Sequence, residues 1–101
     1  MKTIAIVQTR MSSTRLPGKV LKSLSGKVVL DHVVDRLGKS KLIDQVIIAT
    51  TTDEIDDQIV EWCNKKNVVC FRGDRSDVLS RYYECASKFN AEEIVRITSD
   101  N

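Results

Sequence analysis

Four short runs of apolar, mostly β-branched residues punctuate this chain, and each is separated from the next by a stretch with helical periodicity. The runs are Ile4-Ala5-Ile6-Val7, Val46-Ile47-Ile48-Ala49, Val68-Val69-Cys70-Phe71 and Ile94-Val95-Arg96-Ile97. Continuous apolar runs of this length, without polar alternation, mark strands buried on both faces, as in parallel sheets. Between them Leu30, Val33, Val34 and Leu37 recur at helical spacing, as do Ile55, Ile59 and Cys63, and then Leu79, Tyr82, Tyr83 and Ala86. Each set is expected to turn one stripe toward the core. The order predicts an α/β, Rossmann-like fold: a mostly parallel sheet built from right-handed crossovers, with helices on both faces.

Local signals refine this outline. Thr51 followed by Glu54 reads as a capping box at the start of the second helix, and Ser76 as the cap of the third. Ser25-Gly26-Lys27 reads as a turn, and Asp56-Asp57 and Lys65-Lys66 as ordinary solvated helix surface. With 101 residues, 42% of them hydrophobic and 30% charged, residues 1–101 are expected to form a single domain. A net charge of +2 is too small for a nucleic-acid binder. No run is apolar enough for a signal peptide or a membrane span, so the expectation is a cytoplasmic protein with neither nucleic acid nor membrane as partner. Cys63, Cys70 and Cys85 form no C-x-x-C pair, and His32 is the sole histidine, so reduced, mostly buried thiols are expected rather than a disulfide framework or a zinc site. His32 and Trp62 are read as structural residues, and Tyr82 and Tyr83 as core packing.

Ligands of parallel sheets gather beyond the carboxyl ends of the strands. Here those ends carry Gln8 to Lys19, then Thr50 to Asp53, then Arg72-Gly73-Asp74, then Thr98-Ser99-Asp100. The first of these segments combines Arg10, Arg15 and Lys19 with the hydroxyls of Ser12, Ser13 and Thr14. Guanidinium groups grip phosphate oxygens through paired donors, lysine supplies a compact charge, and successive backbone N–H groups form an anion nest. A phosphate-binding loop is therefore expected. It is not a Walker A loop, which requires glycine where Ser13 stands and a hydroxyl where Val20 stands. The dinucleotide fingerprint G-x-G-x-x-G is absent too.

Residues Arg10, Ser13, Thr14, Arg15, Leu16, Pro17, Gly18 and Lys19 resemble the signature A-R-x-x-S-T-R-L-P-G-K of the 3-deoxy-manno-octulosonate cytidylyltransferases, relatives of the acylneuraminate enzymes. Val7-Gln8, Arg10-Met11, residues 13–21 and Asp77-Val78-Leu79-Ser80-Arg81-Tyr82-Tyr83 are most similar to the related spore coat polysaccharide biosynthesis protein F group. The resemblance extends to Ile94-Val95-Arg96-Ile97-Thr98-Ser99-Asp100. It implies a nucleotide-diphospho-sugar transferase fold of the GT-A-like type, of which this chain would be the N-terminal part.

The resemblance also implies a reaction, transfer of CMP from CTP to an acidic sugar with release of pyrophosphate, in surface or spore coat polysaccharide synthesis. Arg10 and Lys19 would be the catalytic cations that neutralise the triphosphate. Gln8, Ser12, Ser13, Thr14, Arg15, Gly18 and Arg72 would complete the nucleotide-binding set. Asp100 would ligate a magnesium ion, a cation that takes oxygen ligands and needs only one or two from protein. Arg81 would lie toward the sugar side or in a surface ion pair, and a tight turn would account for Gly73. Val20 replaces the asparagine or proline of the relatives, which leaves CTP or another nucleoside triphosphate as the nucleotide.

Relatives continue beyond the equivalent of Asn101, so the last strand is expected to present an open edge, with a homodimer as one way to cover it. Two other readings of the sequence are a glycosyltransferase of related fold that uses an already activated sugar, and a non-catalytic nucleotide-binding module.

Overall fold

The computed structural model describes residues 2–11, 23–24, 27–73 and 78–98. Strand β1 (Thr3–Gln8) is followed by two two-residue strands, β2 (Ser23–Leu24) and β3 (Lys27–Val28), the second of which leads into helix α1 (Val29–Gly38). Then come β4 (Gln45–Thr51), a single 3-10 turn (Glu54–Asp56), α2 (Asp57–Lys66), β5 (Val69–Gly73), α3 (Val78–Lys88) and β6 (Glu93–Thr98). The four apolar runs thus become β1, β4, β5 and β6, and β2 pairs antiparallel with β3; of the turn read at Ser25-Gly26-Lys27, Ser25 and Gly26 lie outside the described residues.

The main sheet has the order β5-β4-β1-β6, and its pairings are all parallel. From β1 the chain builds outward through β4 to β5, and α3 then returns it to the opposite side of β1, where β6 pairs. This reversal makes the carboxyl end of β1 the topological switch point, where open α/β sheets form their ligand crevice.

Successive strand residues point to opposite faces, and each face collects its own core. Ile4, Ile6, Ile47 and Ala49 pack with Tyr82, Cys85 and Ala86 of α3, joined by Phe71 and Phe89. On the other face Val7, Met11 and Ile48 pack with Leu30 of α1 and with Ile59 and Cys63 of α2. Burying each such isoleucine contributes about 1.5–3 kcal/mol relative to leaving it in water. Tyr82 also donates its hydroxyl to the Ile97 carbonyl at 3.4 Å.

Local devices fix the helices. The Asp31 carboxylate accepts the Val28 N–H at 3.3 Å at the start of α1. At the end of α2, Asn67 takes the left-handed conformation with φ 57°, and the Val68 N–H donates to the Cys63 carbonyl at 2.9 Å.

Several expectations from periodicity are corrected. The inward stripe through the 3-10 turn and α2 is Asp56, Ile59 and Cys63, all fully buried, whereas Ile55 is exposed. The aspartate lies three and seven residues from its stripe partners, and its carboxylate finds donors inside, which is what allows burial of a charge. In α3, Tyr82, Cys85 and Ala86 face the sheet, while Leu79 and Tyr83 are exposed. Arg81 is buried as well, at 2% exposure, and so is not a surface residue. Strand β6 is less covered than an apolar run suggests, with Ile94 and Val95 more than a third exposed on an edge strand.

The thiols of Cys63, Cys70 and Cys85 are free. Cys63 and Cys70 hydrogen-bond to one another, which lowers the Cys70 pKa and raises that of Cys63. Burial pushes Cys85 up to about 11.

Candidate functional site

The carboxyl-terminal rim of the sheet is assembled around the end of β1. Gln8 is in register with Ala49 of β4 on one side and with Thr98 of β6 on the other. The Thr9 N–H continues the ladder by donating to the Ala49 carbonyl at 2.9 Å, and its hydroxyl donates to the Val7 carbonyl at 3.3 Å. Gln8 and Thr9 are buried, Arg10 is exposed, and Met11 is buried again. The polypeptide is thus held on both sides of Arg10 while that residue faces solvent. A cation placed beyond the end of a central strand at the switch point suits recognition of a polyanion.

Met11 is fixed twice. Its side chain packs among Val7, Leu30, Ile48 and Ile59, and its N–H donates to Oδ1 of Asp56 at 2.7 Å. The other carboxylate oxygen of Asp56 accepts the hydroxyl of Thr51, the last residue of β4. Thr51 in turn accepts the Asp53 N–H at 3.1 Å. These contacts replace the expected capping box: neither the 3-10 turn nor α2 has a side-chain cap, and the Thr51 oxygen serves Asp53 and Asp56 instead. Asp56 is the site-adjacent residue that sequence reading assigned to solvent. Its spacing from Ile59 and Cys63 was the signal that could have revealed it.

Arg72 lies on the same rim, two strands from Gln8, or about 10 Å at the usual strand separation. Its guanidinium binds the β4–α2 connection. Nε donates to the Thr51 carbonyl at 2.7 Å, Nη2 to the Asp53 carbonyl at 2.8 Å, and Nη1 to the Asp57 carboxylate at 2.7 Å. In this arrangement Arg72 shapes the rim by tying β5 to the turn after β4. Ser12, Ser13, Thr14, Arg15, Gly18, Lys19 and Asp100 lie outside the described residues, as does Ser76.

The β1-centred rim and the strand order are those of an open α/β sheet with its ligand crevice at the switch point, and comparison with known proteins specifies the family. The sequence profile of the cytidylyltransferase family matches residues 4–101. The chain belongs to the cytidylyltransferase family.

Among relatives of this cytidylyltransferase-family chain, an uncharacterized protein of Methanocaldococcus jannaschii is 46% identical over 101 residues, covering 100% of this chain and 42% of its own length. A spore coat polysaccharide biosynthesis protein of Bacillus subtilis is 39% identical over 100 residues, covering 95% of this chain and 42% of its own. The structure of a cytidylyltransferase from Leptospira borgpetersenii superposes with a TM-score of 0.92 at 39% identity, over 99% of this chain and 42% of that one. The chain therefore spans about two fifths of the length of these relatives, and the α/β architecture corresponds to the N-terminal part of a cytidylyltransferase.

Proposed function

We propose that the chain is the nucleotide-binding part of an enzyme that transfers CMP from CTP to an acidic sugar and releases pyrophosphate, in the synthesis of surface or spore coat polysaccharide. The observation that carries this reading is the exposed Arg10 at the end of β1, held between the pinned residues Thr9 and Met11. It opens the basic, hydroxyl-rich stretch that ends at Lys19. Membership of the cytidylyltransferase family supports CTP as the nucleotide.

The chemistry follows from charge. Attack of a sugar hydroxyl on the α-phosphorus builds negative charge on the non-bridging oxygens and on the departing pyrophosphate. Fixed cations lower that barrier because they need no reorganisation at the moment of reaction. Arg10 and Lys19 are assigned this role. Gln8, the backbone and hydroxyl groups of Ser12, Ser13 and Thr14, together with Arg15 and Gly18, are assigned to holding the triphosphate. Arg72 is assigned to the nucleotide side through the turn that it organises.

Asp100 is the proposed magnesium ligand. It follows β6, whose last residue, Thr98, is in register with Gln8, and a carboxylate is the donor type that magnesium takes. Bound there, the ion would neutralise phosphate charge. Among the described residues, no helix is long and apolar enough to cross a membrane. A cytoplasmic location, where nucleoside triphosphates are made, is part of the proposal.

The test is calorimetric titration of the chain with CTP, UTP and ATP, with and without magnesium, on the wild type and on Lys19→Ala and Arg10→Ala. Preferential binding of CTP that weakens about tenfold or more in either variant supports the reading, since each removes a charge-assisted contact. A preference for UTP, or release of free nucleotide from a sugar nucleotide, would favour a glycosyltransferase of related fold. Failure of a folded sample to bind any nucleotide would refute the reading of the loop.

A further inference from the structure

Asp56 is fully buried, yet none of the roles assigned above uses it. Its carboxylate joins three separate parts of the chain: its own 3-10 turn, the end of β4 through the Thr51 hydroxyl, and the first turn beyond β1 through the Met11 N–H at 2.7 Å. The bond to Met11 spans 45 residues of sequence. A buried carboxylate is tolerated only when donors surround it, and a backbone N–H donating to a charged oxygen makes one of the stronger protein hydrogen bonds.

We propose that Asp56 is a positioning residue for nucleotide binding: by holding the Met11 N–H, it fixes the backbone from which Arg10 presents its guanidinium. The inference rests on the reading of Arg10 as a triphosphate-binding cation. Arg10 is exposed and makes its turn between two anchored neighbours, Thr9 on the Ala49 carbonyl and Met11 on Asp56. Only the second anchor comes from a side chain, so it is the one that a substitution can remove. Preorganised cations act through placement within fractions of an ångström, and a shift of about 1 Å costs on the order of a hundredfold in favourable cases. Thr51 assists by engaging the second oxygen of Asp56 and so setting the plane of the carboxylate.

The test is a double-mutant cycle read by CTP titration, together with amide hydrogen exchange at Met11 in the absence of nucleotide. All measurements are made well below each variant's melting temperature. Asp56→Ala is expected to expose the Met11 amide to faster exchange and to weaken CTP binding about tenfold. Asp56→Asn, which keeps an acceptor in the same place, should stay within about threefold of the wild type. If Asp56 acts through Arg10, adding Asp56→Ala to Arg10→Ala should weaken binding no further, whereas independent effects would add.

Unchanged affinity of folded Asp56→Ala, or full additivity with Arg10→Ala, would overturn the positioning role while leaving the nucleotide reading intact. A wild type that binds no nucleotide would overturn both. Should Asp56→Ala fail to fold, Thr51→Val in the same cycle carries the test, with a loss of about threefold expected and no loss decisive against the proposal.

Discussion

Gly73 and Arg81 are packed so closely that a β-carbon on the glycine would stand 2.7 Å from Cγ of the arginine, and 3.2 Å from the Phe71 ring. The close approach explains the glycine at the end of β5 better than the tight turn expected from sequence. Arg81 is almost fully buried where it meets this glycine. Gly73→Ala should destabilise the chain by about 1–3 kcal/mol through overpacking. Gly38→Ala is the control. Nothing lies within 4 Å of its added methyl, and at the end of a helix alanine should be neutral or stabilising by up to about 1 kcal/mol. Urea denaturation of both variants checks the contrast.

The Arg72 clamp makes a second prediction. Lysine cannot reproduce the fork that reaches the Thr51 and Asp53 carbonyls together, so Arg72→Lys should cost about 1–3 kcal/mol despite keeping the charge. Asp57→Asn removes only the more exposed ion pair and should cost less than about 1 kcal/mol. Equal losses in the two variants, measured by urea denaturation, would mean that the ion pair rather than the carbonyl clamp organises the rim.

Cys85 sets an alkaline limit. Its pKa is pushed up to about 11 from an ordinary value of 9.0 by burial, so the folded state holds the thiol proton more tightly than the unfolded chain does. The resulting stability is fully present below about pH 9 and is lost as pH rises through about 11. The loss should approach about 2–3 kcal/mol. Cys85→Ala should show a flatter profile across that window, which denaturant melts at pH 8 to 11 can measure.

Strand β6 presents an edge flanked by the exposed Ile94, Val95, Leu79 and Tyr83. Unpaired strand edges with apolar neighbours associate. The isolated chain should therefore show concentration-dependent self-association by sedimentation. Val95→Lys, which puts a charge on the edge, should reduce it.

The sequence alone determined the order of the four long strands and three helices, the parallel sheet and the family, because β-branched runs alternate with helical stripes and because residues 10–19 carry a dense signature. Such information is local: strand propensity, helical period and loop composition each lie within a dozen residues. Arg10 could be picked out as a candidate for the same reason. The exact inward stripes could not, since Ile55, Leu79 and Tyr83 satisfy a helical period as well as the residues that are buried. What decides among them is which face the sheet covers.

Only the tertiary structure could decide the fate of Asp56, Arg72 and Gly73. In sequence Asp56 reads as solvated surface, Gly73 as a turn and Arg72 as a nucleotide-binding cation, and each is held by a partner that is distant in sequence or on another element: Met11 for Asp56, the Thr51 and Asp53 carbonyls for Arg72, and the Arg81 side chain for Gly73. A charge is buried or exposed according to the donors that folding brings to it, and composition does not record those donors.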